Sequence, residues 1–202
     1  MKNDNYVIKE YIKEFLNNEG QSILELKEYI NDDFIKVLEF LHADNKRIII
    51  SGVGTSGIIA RRMTHLLSCF GKKASFLHPS DGLHGASGTV HDGDVVIAFS
   101  KGGASDELNE FASIIKKRGA YLISVTEKKD SPLGKLSDYI ILYSSIENKK
   151  QETHIAFSNS LCAAAITDAL VVGLMKISNY DGSDFVSIHP GGAVGKELKS
   201  EQ

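Results

Sequence analysis

The chain has 202 residues, 42% of them hydrophobic and 24% charged, with a formal net charge of −3. That length fits one domain around a single sizeable core, and the slightly acidic balance argues against a nucleic-acid binder, which normally presents a basic face. No apolar run approaches the ~18 residues of a membrane span and the N-terminal "MKNDNYVIKEY" has no apolar signal-peptide core, so a soluble cytoplasmic protein with no membrane partner is the expectation.

Residues 1–44 read as two leading helices. Val7, Ile8, Tyr11, Ile12 and Phe15 form one apolar stripe. Ile23, Leu24, Leu26, Ile30, Phe34, Val37, Leu38 and Leu41 form another, at steps of three and four. These stripes predict burial, against the domain or against a second subunit. From Arg47 onward short apolar runs alternate with helical segments. The runs are "RIIIS", "ASFLH", "DVVIAFS", "AYLISVT" and "DYIILYS"; the helices are 56–70, 105–118 and 155–177. Continuous apolar strands interleaved with helices indicate a parallel sheet covered on both faces. The expected fold is α/β, a five-stranded parallel sheet in a flavodoxin-like three-layer sandwich. Residues 178–202, broken by Pro190, Gly191 and Gly192, read as a tail of the same domain that covers the site.

The first strand runs into Gly52, Gly54 and Gly57, which match G-x-G-x-x-G. A dinucleotide fold would also need an acidic residue at the end of the second strand to hold a ribose. His78 stands there instead, and Asp81 lies in the loop beyond. The glycines still let backbone amides approach an anion at a helix N-terminus, and Ser56 adds a hydroxyl. A second loop, "SKGGAS", ends the third run in Ser100, passes Lys101, Gly102 and Gly103, and opens a helix at Ser105. Two helix N-termini after neighbouring strands, with hydroxyls, free amides and one lysine, suit a phosphomonoester better than a pyrophosphate. Cys69 and Cys162 sit in apolar helical patterns and read as buried reduced thiols, and with no C-x-x-C spacing no metal is expected.

The stretches "GVGTSG", "SKGGASDE", "HPSDGLHG" and "HPGGAVGKEL" resemble those of the SIS (sugar isomerase) family, in particular its D-arabinose-5-phosphate isomerase branch. The resemblance covers nearly the whole chain and implies interconversion of D-arabinose 5-phosphate and D-ribulose 5-phosphate. It also implies a homo-oligomer, a dimer or tetramer with sites near subunit interfaces. The chain ends after the sugar isomerase domain, so the paired C-terminal CBS domains of many relatives are expected to be absent.

Position by position, the resemblance places phosphate and substrate binding on Gly54, Thr55, Ser56, Ser100, Lys101, Gly103 and Ser105. It places catalytic groups on Glu107, His84 and His189, and a sugar contact around His154, with Glu147 near a further family glutamate. The loop usually written G-M-G-K-S-G has a lysine where this chain has Thr55, and S-N-S-G-E-S is here S-K-G-G-A-S. Aldose–ketose isomerisation through an enediol needs a base between C1 and C2 and an acid/base for the hydroxyl protons. A Glu/His set suffices for both, so no cofactor is expected. The alternatives are a non-catalytic phosphosugar-binding or sensing protein and, on G-x-G-x-x-G alone, a dehydrogenase.

Overall fold

The computed structural model describes residues 2–43, 46–145, 155–181 and 188–189. Helix α1 (Lys2–Glu25) leads through a 3₁₀ turn (Leu26–Tyr29) into α2 (Asp32–Ala43). Then follow β1 (Ile48–Gly52), α3 (Gly54–Cys69), β2 (Ala74–Phe76), α4 (Pro79–Leu83) and a 3₁₀ turn (Ala86–Thr89). The chain continues through β3 (Val95–Phe99), α5 (Asp106–Lys117), β4 (Tyr121–Thr126), α6 (Pro132–Leu136), β5 (Tyr139–Leu142) and α7 (Phe157–Ile177).

The five strands pair in parallel in the order β2-β1-β3-β4-β5. All residues of β1 and β3 are buried, as strands covered on both faces require. One face packs against α2, α3 and α7 through Leu41, Met63, Leu67, Ile166, Leu170 and Leu174. The other packs against α5 and α6 through Leu108, Phe111, Ile115 and Leu133. The fold is the α/β three-layer arrangement that the alternating runs predict.

The leading helices depart from the expectation. The second stripe does not lie on one helix, because Asn31 interrupts it. The Asn31 Oδ1 accepts from the backbone N–H groups of Asp33 and Phe34, both at 3.1 Å, and so caps a new helix. Leu26, Phe34, Val37, Leu38 and Leu41 are buried, whereas Ile23, Leu24 and Ile30 are exposed. On α1, Val7, Ile8, Tyr11 and Ile12 are 50–63% exposed. Phe15 of the stripe does meet the domain, edge-on to Phe157 with ring centroids 5.5 Å apart.

A second correction concerns hydropathy. At 21 residues, α7 is long and apolar enough by length and composition to cross a membrane, contrary to the reading that no run approaches that length. It packs instead inside the domain, with Cys162, Ile166, Leu170 and Leu174 buried, and its Asp168 receives a forked pair of hydrogen bonds from Arg62 of α3.

Candidate functional site

The strand order reverses between β1 and β3: from β1 the chain moves outward to β2, then returns to lay β3 on the other side. Ligands of open α/β sheets bind outside the carboxyl ends of the strands at this switch point. The connection from β1 into α3 is very tight. A Cβ at Gly57 would lie 2.8 Å from the Gly52 carbonyl oxygen, and one at Gly52 would lie 2.9 Å from the Ser56 backbone. Two of the three glycines of the fingerprint therefore serve close strand–helix packing, and the third, Gly54, is the first residue of α3. This turn sets Thr55 and Ser56 in the first turn of α3, where backbone N–H groups lack helical partners.

The β3–α5 loop supplies the facing wall. Ser100 is buried directly after β3, and its Oγ accepts from the Gly103 N–H at 3.1 Å. The Ser105 Oγ lies 3.4 Å from the Ser100 Oγ. Ser105 occupies the N-cap position of α5, but its side chain makes no capping hydrogen bond and turns to Ser100 instead. Gly103 has φ 61°, and a Cβ there would fall 2.0 Å from the Ser131 Oγ, so only glycine fits. The Lys101 carbonyl oxygen accepts from Thr126 Oγ1 at 3.0 Å and from the Glu127 N–H at 2.9 Å, which ties the loop to the end of β4.

Between these walls opens a cleft of about 390 Å³, its mouth included. Thr55, Ser56, Ser100 and Lys101 line one side; Tyr143 and, from α7, Asn159 and Ser160 line the other. The floor is Ile59, Phe99 and Ala163. Lys101 is the cation of this lining. Its Nζ stands 4.0 Å from the Glu127 Oε2, and the Glu127 side chain is 13% exposed. The other carboxylate oxygen, Oε1, accepts three hydrogen bonds: from Ser145 N–H at 3.0 Å, Ser145 Oγ at 2.9 Å and Asn159 Nδ2 at 2.8 Å. Asn159 Nδ2 also donates to the Tyr143 hydroxyl at 3.1 Å. Burial holds the Tyr143 phenol well above its ordinary range, so it stays neutral. Burial, reinforced by the Glu127 carboxylate, likewise pushes the Cys162 thiol up to about 11.

Four of the expected binding residues, Thr55, Ser56, Ser100 and Lys101, thus meet in one cleft; Gly54, Gly103 and Ser105 lie in the same two loops but do not line it. The three expected catalytic residues do not line it. Glu107 is exposed in the first turn of α5. His84 is exposed at the C-terminal end of α4, a helix held on α5 by the contact of Gly82 with the Phe111 ring. His189 sits against Cys69, with Nε2 3.2 Å from Sγ, at the C-terminal end of α3. At 1.5 Å per residue that is about 20 Å along the helix from Thr55. His154 and Glu147 lie outside the described residues, as does most of the tail. Glu127, Tyr143 and Asn159 escape the sequence reading; the one local signal was a charged residue closing the apolar run "YLISVT".

A Haemophilus influenzae protein named "Probable arabinose 5-phosphate isomerase" is 33% identical over 184 residues, 91% of this chain and 54% of that protein. The chain spans about half the length of the curated relatives it matches. Among solved structures, a Listeria monocytogenes protein provisionally described as a sugar-phosphate isomerase superposes with TM-score 0.86 at 32% identity, covering 91% of this chain and 97% of its own. An Escherichia coli CFT073 protein in complex with arabinose 5-phosphate superposes with TM-score 0.86 at 27% identity, covering 92% and 99%. The family model described as "SIS domain" matches residues 41–173, a span that holds all five strands and every residue of the cleft lining. The chain belongs to the SIS domain family.

Proposed function

We propose that the protein is a sugar-phosphate aldose–ketose isomerase that binds an open-chain sugar phosphate in the cleft between β1 and β3. The observation that carries this reading is the convergence of Thr55, Ser56, Ser100 and Lys101 at the switch point, with Ser105 Oγ 3.4 Å from Ser100 Oγ. Four hydroxyls, the free amides of two helix N-termini and one ammonium group match a phosphomonoester dianion. Lys101 supplies a cation from the end of β3 where the family resemblance leads one to expect it at position 55. D-arabinose 5-phosphate and D-ribulose 5-phosphate are the proposed pair. The names of the curated relatives and the arabinose 5-phosphate bound to the E. coli protein support this choice.

In this reading Glu107, in the first turn of α5 and two residues after Ser105, moves the proton between C1 and C2. Histidines handle the hydroxyl protons. His84 and His189 stand outside the lining of the chain's own cleft, His189 against Cys69 about 15 Å along α3 from Ile59, so each would serve the cleft of a second copy. The uncovered apolar face of α1 supports such a homo-oligomer. A phosphosugar-binding protein without turnover is the second reading, favoured by Thr55 at the expected lysine position.

Incubation in D₂O with D-arabinose 5-phosphate, followed by NMR, tests the reading. Deuterium at C2 with ketose appearing supports the isomerase. Binding without exchange supports the second reading, and neither binding nor exchange across a panel of sugar phosphates overturns both.

A further inference from the structure

His65 and Cys69 are four residues apart on α3 and therefore share one face of the helix. His189, 120 residues further along the chain, completes a cluster with them. The Cys69 Sγ lies 3.6 Å from His65 Nε2 and 3.2 Å from His189 Nε2. The imidazoles of His65 and His189 stand edge to face, with centroids 6.5 Å apart. One ligand atom from each of the three residues falls within 4.8 Å of the others.

We propose that His65, Cys69 and His189 form a binding site for a divalent transition metal of the zinc class. Zinc–sulfur bonds of about 2.3 Å and zinc–nitrogen bonds of about 2.0–2.1 Å, at tetrahedral angles, set sulfur and nitrogen ~3.6 Å apart. The two observed separations of 3.2 and 3.6 Å match that figure with sub-ångström adjustment. One thiolate and two imidazoles are a donor set that selects zinc, cobalt(II) or copper over magnesium and calcium. Binding releases the Cys69 thiol proton to solvent, and the sulfur lone pair goes to the metal.

Three protein ligands leave a fourth position for water or an outside ligand. His65 is exposed and Cys69 and His189 are half-buried, so the cluster is open on one side. The ion would tie residue 189 to α3 at Cys69, about 15 Å by helix rise from Ile59 of the cleft lining. The proposal does not rest on the isomerase reading and meets it at one residue: a His189 held by the ion at α3 would not serve a second copy's cleft, which would leave that role to His84.

The test uses the full-length protein, reduced and metal-free, titrated with Co²⁺ and then Zn²⁺. One Co²⁺ per chain is expected, with thiolate-to-cobalt charge-transfer absorption in the near ultraviolet that Zn²⁺ displaces. Cys69→Ser should abolish that absorption. Cys69→Ser and His65→Ala should each weaken Zn²⁺ binding by about 100-fold or more, beyond the ~10–100-fold that loss of an outer-shell partner costs. Cys162→Ala should leave the absorption in place. His65 projects from the surface, so His65→Ala tests the site without threatening the fold. Absence of thiolate–cobalt absorption in the folded wild type, its survival in Cys69→Ser, or wild-type affinity in His65→Ala would each overturn the proposal.

Discussion

Replacing Glu127 is the most revealing perturbation of the cleft. Its Oε1 gathers three donors at 2.8–3.0 Å, two from Ser145 and one from Asn159. Glu127→Ala strands all three. Asn159 is buried, so its amide bears the full penalty of an orphaned donor, about 1–3 kcal/mol. Ser145 is half-buried and can turn partly to water, which leaves about 0.5–1 kcal/mol for each of its two groups. The sum is about 3 kcal/mol, and for a chain of this size each kcal/mol moves Tm by roughly 2–4 °C, so a fall of about 6–12 °C is expected. Glu127→Gln keeps an oxygen for the same three donors and turns its amide toward Lys101. It should cost about 1 kcal/mol, near the value of a single ordinary hydrogen bond. Calorimetry and urea unfolding on the two variants measure these differences. If Gln costs as much as Ala, or if Ala leaves Tm where it was, Glu127 does not hold the α7 wall of the cleft as argued.

The remaining predictions divide between the site and the domain. Lys101→Ala removes the cation of the cleft lining and should weaken binding of a sugar phosphate, measured by calorimetric titration, by about 10–100-fold, the worth of one charged hydrogen bond. Glu107→Gln should lower turnover by ~10²–10⁴ with unchanged thermal stability, because the side chain is exposed and has only solvent to lose. The Cys162 thiol, raised in the folded state to about 11, contributes stability that is complete below the ordinary thiol range and fades as pH rises toward about 11. Urea unfolding across that window should show the loss, and Cys162→Ala should make the slope shallower, the remainder coming from groups such as the buried Tyr143 phenol. Ile8→Asp with Ile12→Asp places charges on the uncovered face of α1, and the double variant should sediment as a smaller species than the wild type. Equal sedimentation would dismiss α1 as a subunit contact.

What was legible in the sequence follows from which forces are local. The central strands β1 and β3 announced themselves because a parallel strand buried on both faces is near-continuously apolar, while the edge strands β2 and β5, only partly buried, were read from short apolar runs between helical segments. The glycine- and serine-rich turns after β1 and β3 were legible because tight strand-to-helix connections demand small residues, and small residues are conspicuous. The start of α2 was missed because periodicity runs straight through Asn31, and only the side-chain cap ends one helix and begins the next. The short helices α4 and α6 have no period to read; each starts from a side-chain cap followed by proline, His78–Pro79 and Ser131–Pro132. Glu127 and Asn159 lie 32 residues apart, and the His65–Cys69–His189 cluster spans more than 120. No pattern along the chain encodes such pairings; the folded sheet and α7 create them.

In a cleft that takes a phosphate, as proposed, the Lys101–Glu127 pair lets an acidic group sit beside the ligand without repelling it. A buried carboxylate facing a dianion would normally repel it, the more so in a cleft that excludes water. Here the three hydrogen bonds converge on Oε1, which disperses that oxygen's charge into Ser145 and Asn159, and only Oε2 faces Lys101, at 4.0 Å. At that separation the lysine is near the carboxylate without being held by a short hydrogen bond, and its side chain is 47% exposed. The ammonium group can therefore swing toward an incoming phosphate while Glu127 keeps its three donors. A lysine fixed by a closer carboxylate would have to break that bond for every ligand bound. The cleft lining thus keeps its lysine near Glu127 yet available to a ligand, and the Thr126 hydroxyl and the Glu127 N–H, both donating to the Lys101 carbonyl, anchor the backbone of the loop that carries it.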